Sequence, residues 1–472
     1  MPPRESRLRA LPSVEVVLQQ PALQAAAGEL PRALLKEAVR AEIAELRLAL
    51  AARRGSPKPA ASVPADPCAV AGAALVRARA AHRPSIRRVL NATGVVLHTN
   101  LGRAPLSEAA RKAVEETARG YVNLEYDLES GRRGQRGEGV ERWLTRLTGA
   151  EAALVVNNGA GAILLALSAL ASGKRVVVSR GELVEIGGSF RVPEVMEKSG
   201  CRLLEVGSTN RTHMRDYERA IEDHRREIGA ILRVHPSNFR IQGFTLRPEL
   251  HELAKLAHRA RLPLIEDLGS GALIDLTELG LEREPTVRES LNAGVDVVTF
   301  SGDKLLGSTQ AGLLLGRRTF VLRARKDPLA RALRVDKLTL AALEATLVAY
   351  SDPARARREL PALRMLHTAP ETLESRARTL AGALRRVPGL EVGIERGDGE
   401  VGGGAMPLQR LPGWVVTLVH AGLTADEIDR RARAAEPPVI GTIRTGKYRL
   451  DVRTLTDAEA VEVADALARA HL

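Results

Sequence analysis

Through the middle of the chain, from about residue 90 to about residue 315, short apolar runs alternate with helix-like stretches. The runs at 153–156, 175–179, 202–206, 230–234, 262–267, 295–300 and 312–315 are dominated by Val, Ile, Leu and Ala and predict strands. Strands alternating with helices predict an α/β fold, a largely parallel sheet with helices on both faces. Upstream, Leu34, Leu35, Val39, Ile43, Leu46, Leu48 and Leu50 recur at three- and four-residue spacing and predict helices over 11–53. Residues 55–67 carry four prolines among small residues and predict a linker. Downstream, 333–386 is helix-rich. A smaller α/β unit follows, with strands at 415–419 and 448–452 and helices at 424–434 and 457–470. The predicted division is an N-terminal helical domain at 1–54, a linker at 55–88, a large domain at 89–340 and a small C-terminal α/β domain at 341–472.

Three strand ends carry candidate chemistry. The run Val297-Val298-Thr299-Phe300 leads into Ser301-Gly302-Asp303-Lys304, a tight polar turn presenting one lysine. A lysine among small residues at a strand end is desolvated, which lowers its pKa and leaves a nucleophilic amine. That is what a Schiff base with pyridoxal phosphate requires. The competing reading is a solvated surface lysine, the usual fate of this residue. With ten lysines against sixty arginines there are few rivals; Lys337 opens a helix-like run instead of closing a strand. The second strand end, Leu264-Ile265-Glu266-Asp267, places Asp267 37 positions before Lys304. A buried aspartate there would keep a pyridine nitrogen protonated, and parallel neighbours would bring both side chains to the carboxyl edge of the sheet. Otherwise Asp267 is a turn cap; Glu266 points to the opposite face and is the weaker candidate. At the third, Leu154-Val155-Val156 leads through Asn157, Asn158, Gly159, Ala160 and Gly161 into an apolar helix. Free N–H groups at such a helix start suit a phosphate. Leu164 occupies the third glycine position of a dinucleotide fingerprint and no Walker lysine follows.

Charge and cysteines narrow the partners. A formal net charge of +13 points to an anionic partner, nucleic acid or a membrane surface. Arginine-rich coding bias accounts for part of it. Cys68 and Cys201 form neither a metal spacing nor a disulfide framework, which fits a reducing cytoplasm. No signal peptide or membrane span is predicted, because the longest apolar tract, 152–171, is broken by Asn157 and Asn158. Arg331 and Arg334 at i, i+3 would share a helix face and grip one tetrahedral anion. A solvated basic face is the plainer alternative. The loop 131–137, with Arg132, Arg133 and Arg136, is read as mobile and able to touch RNA or a subunit interface.

These segments resemble the bacterial selenocysteine synthases, the L-seryl-tRNA(Sec) selenium transferase family. The resemblance runs from Leu11-Pro12-Ser13-Val14, through 90–103, 122–127, 179–188, 267–271, 301–307 and 338–347, to Pro438-Val439-Ile440-Gly441. It implies a fold-type I pyridoxal-phosphate transferase with an N-terminal tRNA-binding domain at 1–54, a cofactor-binding domain at 89–340 and a ring-shaped homo-oligomer, a decamer. It places the Schiff-base lysine on Lys304, the pyridinium partner on Asp267 and Asp303 beside the reacting group. The phosphate cup falls on Asn157, Asn158, Gly159 and Ala160 with Ser301, and the selenium donor, selenophosphate, on Arg103, Arg331 and Arg334. The implied reaction converts seryl-tRNA(Sec) to selenocysteinyl-tRNA(Sec) in the cytoplasm through an aldimine and an aminoacrylyl-tRNA. Here the family's Asn-Asn-Asn-Ala-Ala-Ala cup reads Asn157-Asn158-Gly159-Ala160-Gly161-Ala162, and its Gly-Gly-Pro-Gln-Ala-Gly reads Gly307-Ser308-Thr309-Gln310-Ala311-Gly312. Both keep small residues. Because the substrate carboxyl is esterified, the family has little need of a carboxylate-binding arginine, although Arg453 lies roughly where one could be. A lyase or racemase acting on a small amino acid, and a tRNA-binding protein with a vestigial cofactor site, are the alternatives.

Overall fold

The computed structural model describes residues 11–52, 66–186 and 190–470. Residues 1–10, 53–65 and Gly187-Gly188 of the motif at 179–188 lie outside the described residues. The chain divides into two compact units, Met1–Arg88 and Val89–Leu472.

The first unit is helical. Ser13 caps Val14–Leu18 by accepting from the Val16 N–H, and Pro21 opens Pro21–Ala26 where its missing N–H costs nothing. The long helix Arg32–Ala52 buries Leu35, Ala38, Val39 and Ile43. Its apolar stripe stops short of the predicted end, since Leu48 is exposed. A second correction concerns the linker. Pro67–His82, assigned to it, is a helix whose N-cap Asp66 accepts from the N–H groups of Cys68 and Ala69. It packs on Arg32–Ala52 through Val70, Ala71, Ala74 and Ala78, and Arg77 binds Glu42 and Glu45, each at 2.6 Å. Small alanines let the two helices approach closely but leave little hydrophobic periodicity to read.

In the second unit the strands are β1 (Leu90–Asn91), β2 (Val95–Leu97), β3 (Ala152–Val156), β4 (Arg175–Ser179), β5 (Glu185–Ile186), β6 (Phe190–Arg191), β7 (Arg202–Val206) and β8 (Ile228–Val234). They continue with β9 (Leu264–Gly269), β10 (Val297–Ser301), β11 (Gly312–Gly316), β12 (Leu390–Gly402), β13 (Arg410–His420), β14 (Val439–Ile440), β15 (Thr442–Arg444) and β16 (Lys447–Asp451). The large sheet has the order β3-β11-β10-β9-β8-β4-β7. It is parallel except for β11, which runs antiparallel to both β3 and β10. Its faces bury continuous Val, Ile and Leu, as a sheet covered on both sides requires. The small sheet, β15-β16-β13-β12-β2, was only half foreseen, because β12 carries four glycines among charged residues.

The small sheet closes on the start of the unit. β2 lies parallel to β12 and β1 parallel to β14. The boundary expected at 340/341 falls inside the helix Lys337–Ala349, whose Leu343 and Leu347 belong to the large-sheet core together with Leu363 and Leu366. The small-sheet core begins at Leu373 and recruits Leu90 and Ala92. Division by core therefore falls near 370, not 341.

Candidate active site

Parallel pairing of β9 with β10 sets Asp267 opposite Thr299, whose hydroxyl donates to Asp267 Oδ1 at 3.0 Å. The chain leaves β10 through a turn locked by Gly302 N–H to the Ala311 carbonyl (2.8 Å) and Leu305 N–H to the Ser270 carbonyl (3.0 Å). Lys304 sits in that turn, 5% exposed. Burial holds its pKa below the usual lysine value against the opposing pull of Asp267, and Arg103 lowers it further. Burial likewise raises the Asp267 carboxyl, with Lys304 and the Thr299 hydroxyl acting against it.

Two glycines keep the lysine's surroundings open. A Cβ at Gly404 would lie 2.7 Å from Lys304 Nζ, and one at Gly269 3.9 Å from it. At the neighbouring strand end, Asn158 caps the helix Gly159–Ala171 by accepting from the Gly161 N–H at 2.7 Å, while the Asn157 N–H is taken by the Leu333 carbonyl. The start of the helix leaves the Gly159 and Ala160 N–H groups without helical acceptors. Ser301 Oγ faces this point, 2.5 Å from where a Gly159 Cβ would be, so the hydroxyl and the helix start share one small space. A buried amine, a half-buried carboxylate on the next strand and a hydroxyl against a helix N-terminus form a donor set that fits pyridoxal phosphate.

Arg103 also belongs here. Its Nη1 donates to Asp303 Oδ2 at 2.8 Å, and its backbone holds φ 61°, a conformation that costs about 1–3 kcal/mol away from glycine. The turn tying Ala104 N–H to the Asp303 carbonyl over-determines it.

Arg331 and Arg334 are placed differently from expectation. The helix Pro328–Ala332 ends before Arg334, which runs on in an extended bridge to Val156, so the two arginines share no helix face. They line one cavity nonetheless, with Arg136, Arg325 and Glu125, and none of Lys304, Asp303 or Arg103 lines it. The loop 131–137, expected to be mobile, forms another wall of that cavity. Glu125 pins it through Arg133 (3.0 Å) and Arg136 (2.9 Å), and these two hold the Glu125 carboxyl below its usual range. Lys337 spends its amine on the Gly120 carbonyl at 2.7 Å. Arg453 is 3% exposed and donates to the Met365 and Pro412 carbonyls, which makes it a structural group.

Sequence reasoning missed the next layer. His235 follows β8; its N–H donates to the Asp267 carbonyl, and its Nε2 lies 3.2 Å from Glu284 Oε1. Behind it Arg233 pairs with the buried Glu182 at 3.0 Å, and Glu182 also accepts from the Val234 N–H. The available signal was positional: 233–235 ends a strand beside the one that carries Asp267.

Comparison with known proteins agrees with this geometry. The family model for L-seryl-tRNA selenium transferase matches residues 89–456, and that for the selenocysteine synthase N terminus matches residues 8–47. The L-seryl-tRNA(Sec) selenium transferase of Geobacter sulfurreducens is 49% identical, covering 97% of this chain and 98% of that one. The enzyme of the same name from Moorella thermoacetica is also 49% identical, over 99% and 98% of the two chains. Among solved structures, D-glucosaminate-6-phosphate ammonia-lyase superposes with a TM-score of 0.54 at 21% identity, covering 82% of this chain and 96% of that one, a likeness of fold. The architecture is that of the fold-type I pyridoxal-phosphate transferases. With relatives matched along nearly their whole length, the chain belongs to the L-seryl-tRNA selenium transferase family.

Proposed function

We propose that this protein converts L-seryl-tRNA(Sec) to L-selenocysteinyl-tRNA(Sec), with pyridoxal phosphate as cofactor and selenophosphate as selenium donor. The observation that carries the reading is the buried Lys304, one strand from Asp267, in a chain of this family. When bound, the cofactor supplies an electron sink for the pair released at the serine Cα. Lys304 anchors it and then moves the Cα proton, a role its lowered pKa suits because more of the amine is neutral near pH 7. Asp267 holds the ring nitrogen protonated. Ser301, Asn157, Asn158 and the N–H groups of Gly159 and Ala160 take the phosphate. Asp303, oriented by Arg103, stands beside the reacting carbon. The serine hydroxyl leaves as water, the selenium of selenophosphate adds to the β-carbon in its place while Lys304 returns a proton to Cα, and water cleaves the Se–P bond to release phosphate.

Arg103, Arg331 and Arg334 are assigned to the donor, since guanidinium groups match a phosphate-like anion. Residues 1–54, extended by the helix Pro67–His82 to the whole first unit, are assigned to tRNA binding. The working form is a ring-shaped homo-oligomer in the cytoplasm. Among the described residues no helix is long and apolar enough to cross a membrane. The direct test mixes purified protein, Ser-tRNA(Sec) and selenophosphate and analyses the amino acid released from the RNA. Selenocysteine is expected. Free pyruvate, or D-serine, would replace this reading with the lyase or the racemase.

A further inference from the structure

Next to Lys304, but outside the cofactor's residues, lies a cavity of about 280 Å³ between the ends of β4 and β8. That is at the lower edge of small-ligand sites, which run from about 300 Å³ upward, so it suits a group no larger than about one nucleoside. Its inner wall is His235, Glu284 and Met406. His235 is hydrogen-bonded to the Asp267 backbone, and Met406 is two residues from Gly404, which abuts Lys304 Nζ. The cavity therefore opens beside the reacting lysine.

Its walls suit a nucleotide. Four arginines line it. Arg240 and Arg283 are neutralised by Glu282 (2.9 Å) and Glu289 (3.0 Å). Arg211 and Arg247 form no ion pair among the described residues; both are exposed, and Arg247 feels Glu182 and Glu266 only at longer range. Aromatic residues make up only 3% of the chain, with five phenylalanines in all. Two of the five are here: Phe239 lines the cavity, and Phe244 lies under the Arg211 guanidinium at 5.9 Å. Cations interleaved with aromatic faces are the means by which proteins hold single-stranded nucleic acid, the base stacking and the phosphate paired.

A serine esterified to tRNA sits on the ribose of the terminal adenosine. When its amine reaches Lys304, that adenosine must lie within a few bonds of the lysine. Resting on the reaction proposed above, we infer that this cavity binds the 3′-terminal adenosine of the seryl-tRNA, with Phe239 against the base and Arg211 and Arg247 on the phosphate.

The test titrates cofactor-loaded enzyme with uncharged tRNA(Sec) and with the same RNA lacking its terminal adenosine. For the wild type, removing the adenosine should weaken binding by about tenfold or more, the worth of one stacked base and one phosphate contact. The Arg211→Gln, Arg247→Gln double variant should bind the intact RNA more weakly than the wild type does and should lose less than the wild type on shortening, the remainder being the base on Phe239. Lysine at both positions should restore much of the difference. Retained visible absorbance of the bound cofactor reports that the double variant is folded; if it is lost, Arg211→Gln alone carries the test, its side chain being exposed. Equal binding of the two RNAs by the wild type overturns the assignment, as does an equal loss for both RNAs in the variant. Turnover of seryl-tRNA by the same wild-type preparation is read separately. Turnover together with equal binding of the two uncharged RNAs overturns the cavity assignment alone, whereas absence of turnover overturns the proposed reaction and the cavity assignment with it.

Discussion

Lys304 and the pair Arg331 and Arg334 sit at the ends of the same sheet yet are specified in opposite ways. Lys304 is buried, and its environment is fixed by β9 and β10 pairing and by backbone bonds that leave the turn no freedom. Its amine is primed before any ligand arrives, because burial, with Arg103 adding to it, holds its pKa down. Arg331 and Arg334 are exposed, and Glu125 lies 3.5 Å from Arg334. Their charge is unconditional, and their function depends on what enters the cavity they line. Burial makes a group reactive in place, whereas exposure makes it available.

The sharpest way to break this contrast is at the lysine. Lys304→Ala should stop both consumption of seryl-tRNA and use of selenophosphate, by about 10²–10⁴-fold or more for loss of a positioned base. Borohydride reduction of the wild type followed by peptide mapping should place the pyridoxyl label on Lys304; a label on Lys337 ends the assignment. The next largest effect concerns exposed charge on the scale of a domain. Removing residues 1–88 should cut tRNA affinity by about 10²-fold or more, the worth of two phosphate hydrogen bonds at about 1.5–3 kcal/mol each, with cofactor retained. The cut belongs at 88, because ending the deletion at residue 54 would strip Val70, Ala71, Ala74 and Ala78 of their cover. Affinity of the intact protein should fall steeply with salt.

Asp451 separates burial from function. Desolvation pushes its carboxyl up to about 6, while its Oδ1 merely accepts from the Arg453 N–H. The folded state thus holds a proton that the unfolded state releases, so stability falls as pH rises from about 4 through 6. Asp451→Asn should raise stability at pH 7 by up to about 3 kcal/mol and leave it unchanged below pH 4, measured by urea melts at both pH values. A pH-independent gain would show that another interaction is responsible. The smallest change is at the exposed pair. Arg331→Ala should weaken use of selenophosphate by about 1.5–3 kcal/mol while seryl-tRNA consumption without donor continues. Loss of consumption as complete as in Lys304→Ala would make Arg331 a structural group.

What could be read from the chain follows the same division. Buried strands of the large sheet announce themselves as apolar runs, and the order Asp267 then Lys304 on neighbouring strands was legible from spacing. β12 was not, because Gly393, Gly397, Gly399 and Gly402 erase its alternation and its pairing partners are remote in sequence. The helix Pro67–His82 was hidden behind prolines and alanines. His235 and Glu284 carry no local mark, since their proximity arises only when β8 pairs with β9 and the loop before the helix Val287–Asn292 folds back. Arg331 and Arg334 were read as one helix face; the cavity they share is built instead by a short helix that stops and a loop that Glu125 holds.

The clasp between the two ends of the second unit bears on the order of synthesis. β2 finds its partner in β12 and β1 in β14, strands that leave the ribosome about 300 and about 350 residues later. Such distant pairings close slowly, because the loop entropy is paid before any contact returns it. The large sheet can assemble while the segment leading from β2 to Arg103 still waits for its neighbours. A message broken off after residue 389 would encode every residue assigned here to cofactor and donor, yet neither strand that seats the approach to Arg103.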